Sequence, residues 1–107
     1  MSALDWKDGS MAKVTLHAAA EAEYEMALAW YQARNLRAAA GFEAEVERAM
    51  EFIASFPEAS PRCDDRHRFF SLRRYSYGLV YRVDGDQVRV VAVPHDHQLP
   101  GFWAGRD

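Results

Sequence analysis

The residues that could do chemistry in this chain lie in its second part. Five arginines, Arg68, Arg73, Arg74, Arg82 and Arg89, precede or border a closing stretch, "AVPHDHQLPGFWAGRD" (92–107), that carries His95, His97, Phe102 and Trp103. Guanidinium groups with an imidazole are the inventory of metal-free RNA cleavage. A base removes the 2′-hydroxyl proton, an acid protonates the leaving oxygen, and cations stabilise the phosphorane-like charge. On that reading the catalytic candidates are Arg73, Arg74, Arg82 and His95. The same arginines have plainer uses: solvating an open sheet face, or binding a partner's carboxylates. Phe102 and Trp103 divide likewise between stacking on bases and packing, with packing against a helical pair as the expectation. Arg82, Arg89, Phe102 and Trp103 are therefore the partner-binding candidates.

A metal site is not expected. Cys63, His67, His95 and His97 do not follow a recognised zinc spacing, and Pro94 interrupts the strand before the histidine pair. Cys63 sits beside Asp64 and Asp65, with no basic neighbour on that side to favour a thiolate, and reads as inert. No cofactor is called for.

The elements that must position these groups follow from periodicity. Residues 12–17, "AKVTLH", alternate as a short half-buried strand. Residues 18–34 read as a helix whose apolar stripe is Ala19, Ala22, Met26, Trp30 and Ala33, broadened by Tyr31. Asn35, which tolerates a left-handed backbone, is the expected stop. Residues 36–56 make a second helix with Phe42, Val46, Ala49, Ile53 and Phe56 on one face, ended by Pro57. So short a link predicts an antiparallel helical hairpin. The period then becomes two: 66–74, 77–83 and 87–93 are strands, and Asp84-Gly85 marks a tight hairpin between the last two. In the middle strand Tyr77, Leu79, Tyr81 and Val83 face the core, which turns Arg82 to the open side with Arg74 and Arg89 as neighbours. The fold class is α+β: a short N-terminal strand, a helical hairpin, then a three-stranded antiparallel meander.

The chain has 107 residues, enough for a single domain over 12–107, with 1–11 read as a leader before a second methionine, Met11. Net charge is −3, split between −5 over residues 1–61 and +2 over 62–107. That balance is too weak for non-specific nucleic-acid binding. No apolar run is long enough for a membrane span, and one cysteine fits a reducing, cytoplasmic setting.

Taken together, these segments resemble the ParE/RelE superfamily of bacterial toxins. "AEAEYEMALAWYQARNLRAAAGFEAEVERAMEFIASFPEASP" is similar to its helical hairpin, "FFSLRRYSYGLVYRV" to its central strand pair, and "VRVVAVPHDHQLPGFWAGR" to its last strand and tail. The resemblance implies a toxin of a type II toxin–antitoxin module, neutralised by a cognate antitoxin whose flexible segment wraps it. It allows a homodimer or a heterotetramer with the antitoxin. ParE-like members poison DNA gyrase without being enzymes; RelE-like members cut messenger RNA on the ribosome. Gly78 stands where RNA-cutting relatives often carry an arginine, and the only lysines, Lys7 and Lys13, precede the first helix. Both departures favour the ParE-like, non-catalytic side. Gln98 and Leu99 replace basic residues that many ParE-like relatives carry before the Pro-Gly-aromatic-Trp tail, which leaves an inactive interaction module as a third reading.

Overall fold

The computed structural model describes residues 12–107; the expected leader over 1–11 lies outside them. The elements are β1 (Lys13–Leu16), α1 (Ala18–Arg34), α2 (Leu36–Ser55), β2 (Arg68–Ser71), β3 (Gly78–Asp84) and β4 (Gln87–Ala92). They form one four-stranded sheet in the order β1-β4-β3-β2. The meander is antiparallel as expected, and β1 adds to it in parallel, Val14 opposite Val88 and Leu16 opposite Val90. A parallel partner needs a crossover, and the helical hairpin together with β2 and β3 supplies it. Between β3 and β4, Gly85 takes the positive φ of +62° that a two-residue loop demands.

One residue joins the helices. Asn35 donates its backbone N–H to the Tyr31 carbonyl, closing α1, while its side-chain oxygen accepts from the N–H groups of Arg37 and Ala38, opening α2. Its backbone is extended rather than left-handed, because the side chain must point forward as an N-cap. His17 caps α1 in the same manner, its ring Nδ1 accepting from Ala19.

The buried face of α1 is not the expected one. Ala20 and Ala27 are buried, with Tyr24, Leu28 and Tyr31 packed against the core. Met26 is 74% exposed and Trp30 50% exposed. The helix is so rich in alanine that three- and four-residue steps trace an apolar stripe on two sides. What decides between them is α2, whose Phe42 lies among the rings of Tyr24, Tyr31, Tyr75 and Tyr77, with centroids 5.1–5.7 Å away. Each tyrosine offers an apolar body to the core, and Tyr75 donates its hydroxyl to the Ala38 carbonyl at 2.9 Å. On α2, Phe42, Val46, Ala49 and Ile53 are buried as expected, but Phe56 ends the helix outside the core.

Substituting Phe42→Ala would remove the ring that four tyrosines surround, and is expected to cost about 3–5 kcal/mol of stability. Met26→Ala should stay within about 0.5 kcal/mol. Urea denaturation of the two variants distinguishes the observed helix face from the expected one, since the opposite face would make Met26 the costly position.

Candidate partner-binding surface

The hairpin covers one face of the sheet, and the chain's own end covers part of the other. Trp103 is buried with Val80, Val91 and Ala92, and Phe69 and Phe102 pack around them. The expected packing of Phe102 and Trp103 against the helical pair is thus corrected: they close the opposite face, where the even-numbered residues of β3 point. The indole Nε1 donates to Asp64 at 2.9 Å. Asp64 also accepts from the backbone N–H groups of Arg66 and His67 and from the His67 ring. Burial would push the Asp64 carboxyl up; these donors outweigh it and hold the group well below the usual carboxylate range.

Two of the expected partner-binding arginines hold this same tail. Arg82 and Arg89 face each other across β3 and β4. Arg82 pairs with Asp84 at 2.8 Å and donates to the Arg106 carbonyl at 3.1 Å. Arg89 donates to the Asp107 carbonyl, to the Thr15 hydroxyl and to the Leu16 carbonyl. Where β1 ends, Glu23 and Arg106 take over the edge of β4. The Arg106 guanidinium donates to the Val91 carbonyl and pairs with Glu23, which also accepts from the Val93 N–H.

Arg74 does not join that cluster. After β2 the chain turns sharply, and the carboxylate of Glu45, buried on α2, accepts the N–H groups of both Arg73 (2.7 Å) and Arg74 (3.2 Å). Their side chains then rim a groove of about 660 Å³, with Arg48, Ala49, Phe52 and Phe70. Phe52 and Phe70 form its aromatic floor, their ring centroids 5.4 Å apart. Among the described residues, no carboxylate pairs with Arg48, Arg73 or Arg74.

His95 lies elsewhere again. Its backbone bridges to Tyr77, and its ring stands edge-on to Tyr77 at 5.0 Å and beside His97 at 5.2 Å. β4 ends at Ala92, before Pro94, as expected, although the Pro94 carbonyl still accepts from Gly78. Two clefts include His95, and neither has an arginine among its lining residues. The four catalytic candidates therefore occupy three places: Arg73 and Arg74 at the α2 groove, Arg82 under the tail, and His95 beside Tyr77. Gly78 leaves no room for a further cation. A Cβ there would collide with the Phe69 ring and stand 2.8 Å from the Phe70 carbonyl oxygen.

Three positioning residues escaped the sequence reading: Glu23, Glu45 and Asp64. Only Glu45 left a trace, a carboxylate adjoining the apolar stripe of α2. The partners of the other two lie 39 residues or more away in sequence, Trp103 for Asp64 and Val93 for Glu23. Cys63 is exposed overall, but partial burial of its sulfur, followed by the neighbouring Asp64 carboxylate, pushes the thiol up, away from the thiolate.

Comparison with known proteins adds the following. Residues 14–100 match the family model described as the ParE toxin of the type II toxin–antitoxin system, parDE. Among solved structures, a chromosomal ParDE toxin–antitoxin system from P. aeruginosa superposes with a TM-score of 0.68 at 13% identity, over 82% of this chain and 98% of that one. At that identity the likeness concerns the fold. No curated protein matches. None of the described helices is long and apolar enough to cross a membrane.

Because Asp64 is held ionised by the folded chain, its contribution is fully present above its ordinary value of about 3.9 and is lost as pH falls through the lower folded value. Stability should fall on acidification below about pH 4, and Asp64→Asn should flatten that fall while lowering stability at neutral pH. Urea midpoints at pH 7 and pH 3 measure both; identical pH slopes would count against Asp64 as the tail's anchor.

Proposed function

Given that the chain belongs to the ParE toxin family of type II toxin–antitoxin systems, we propose that it is the toxin of such a module, acts in the cytoplasm by binding DNA gyrase, and is held inactive by a cognate antitoxin. The observation that carries the non-catalytic part is the scatter of Arg73, Arg74, Arg82 and His95 over three separate places. General acid–base cleavage needs its proton carriers and its cations on the same phosphate, within about 3 Å of the atoms they serve. Here Arg82 and Arg89 are occupied by main-chain carbonyls of the tail. A binding mode asks less: a surface with an apolar floor and matching charge.

The α2 groove supports the antitoxin half of this reading. Phe52 and Phe70 supply the floor, and Arg48, Arg73 and Arg74 the rim. An amphipathic antitoxin segment with carboxylates flanking its apolar anchors matches both features. Glu45, itself part of the groove lining, fixes the rim by accepting the two backbone N–H groups of the turn, and among the described residues neither guanidinium is in an ion pair.

Controlled expression of the gene alone should arrest growth with an SOS response, filamentous cells and stabilised gyrase cleavage complexes, while transcripts stay intact. Transcripts cut on ribosomes, with replication unaffected, would replace the gyrase target by a nuclease activity. Double charge reversal, Arg73→Glu with Arg74→Glu, should weaken antitoxin binding about ten- to a hundredfold and leave the urea midpoint nearly unchanged. Calorimetric titration of the antitoxin into wild type and variant decides it; equal affinities would remove the groove from the interface.

A further inference from the structure

Four arginines come together at the end of the sheet where the β3–β4 hairpin turns. Arg62, Arg66, Arg68 and Arg82 line a cleft of about 500 Å³ there, with Gly85 of the turn on its wall. Arg82 is already accounted for, paired with Asp84 and donating to the tail. The other three are not: among the described residues none of them is in an ion pair. Two of them even stand opposite one another, because an antiparallel bridge joins Arg62 to Arg68. Like charges at directly opposed positions repel, so this pairing disfavours the fold unless an anion offsets it.

The chain holds these side chains in place without neutralising them. Arg68 donates through Nη1 to the Glu58 and Ser60 carbonyls at 3.0 and 2.8 Å, and Arg62 donates through Nη1 to the Asp65 carbonyl at 3.0 Å. Carbonyl oxygens fix a guanidinium and leave its charge. The Nε and Nη2 groups of both arginines have no acceptor among the described residues. Arg66 is anchored by its backbone, whose N–H donates to Asp64, and its side chain is exposed. Glu58 and Asp65 also line the cleft, but both are exposed, and neither is in an ion pair among the described residues. Val83 is the single apolar side chain on the wall. Such a lining suits a small, hydrophilic, multiply charged anion and offers no floor to one that needs an apolar anchor. A phosphate dianion presents more acceptor oxygens and more charge than a carboxylate, and guanidinium forks match its geometry.

We propose that this cleft binds a phosphate group, held by Arg62, Arg66 and Arg68. The phosphate is either free or the end of a small sugar phosphate, whose hydroxyls would find acceptors in Glu58 and Asp65. The site shares no residue with the α2 groove, and the inference stands apart from the choice of cellular target.

The test titrates the purified 107-residue chain with inorganic phosphate and with ribose 5-phosphate, following backbone amide resonances. It is run at about pH 7.5, where phosphate is mostly dianionic, with ionic strength held constant by sodium chloride. Saturable shifts are expected at residues 62–68 and 82–85. Binding of ribose 5-phosphate at least about threefold tighter marks a sugar phosphate as the occupant, and any smaller difference marks free phosphate. Arg62→Gln and Arg66→Gln lie at exposed positions, and their urea midpoints check that they fold. Each should weaken binding about three- to tenfold, while Asp65→Asn, which removes a neighbouring negative charge, should tighten it about two- to fivefold. Chloride shifting the same amides as strongly would reduce the cleft to a screened surface, and acetate binding as tightly would replace phosphate by a carboxylate. Either result overturns the proposal, as would arginine variants of unchanged affinity or shifts centred on Arg73 and Arg74.

Discussion

A sheet has two faces to shield from water, and this chain has one helical hairpin. That shortage governs the rest of the architecture. The hairpin shields the face bearing Leu79 and Tyr81, leaving Val80, Val91 and Phe69 on the other. Burying that second face falls to the closing segment, which has no regular structure beyond turns and brings main-chain carbonyls that need donors. A segment without its own ladder must borrow hydrogen bonds from side chains. Asp64 takes the indole N–H, and Arg82 and Arg89 supply donors to the last carbonyls.

The roles of the arginines follow from that demand. A guanidinium offers five donors in a fixed plane and is never uncharged, which suits it to gathering carbonyl oxygens at a sheet surface. Arg89 reaches three acceptors in this way, from β1 and from the tail. Two arginines that read as an open cationic face in the sequence are thus structural. Of the five candidate arginines, Arg73 and Arg74 on the α2 side are the ones held by their backbone amides, through Glu45, rather than by their guanidiniums.

Much of the fold was legible because its signals are local. The switch in period from helix to strand, Asp84-Gly85 at the hairpin, and Pro57 after α2 each act over a few residues, and the elements follow in the expected order, although the strand expected over 66–74 is only Arg68–Ser71 and leaves Arg73 and Arg74 in a turn. The inward face of β3 was legible for the same reason, since strand alternation leaves two choices and the tyrosines and leucine select one. The face of α1 was not. Ala19, Ala22, Met26, Trp30 and Ala33 make as regular a stripe as Ala20, Tyr24, Ala27 and Tyr31, and only the position of Phe42 decides. The tail was half legible. Phe102 and Trp103 announced packing, but their partners on the far sheet face depend on where residues 94–101 turn, which no periodicity encodes. Glu23 and Asp64 were invisible because an acidic residue in a helix or loop reads as solvated until its distant donor is known.

The outward-facing stripe of α1 carries Met26 and Trp30. Trp30 is left half exposed. Here it is partly covered by Arg34, an exposed contact whose worth is modest, on the order of 0.5–1 kcal/mol. That contact shields one cation's breadth of ring and leaves the adjoining Tyr31, Tyr77 and His95 rings grouped beside it. The core takes tyrosines, whose hydroxyls need a wet or polar edge, and the consequence of that choice is an aromatic margin between α1 and β3. Two of the four tyrosines that surround Phe42, Tyr31 and Tyr77, also line the cleft beside Trp30, so the rings that fill the core on one side shape the surface on the other.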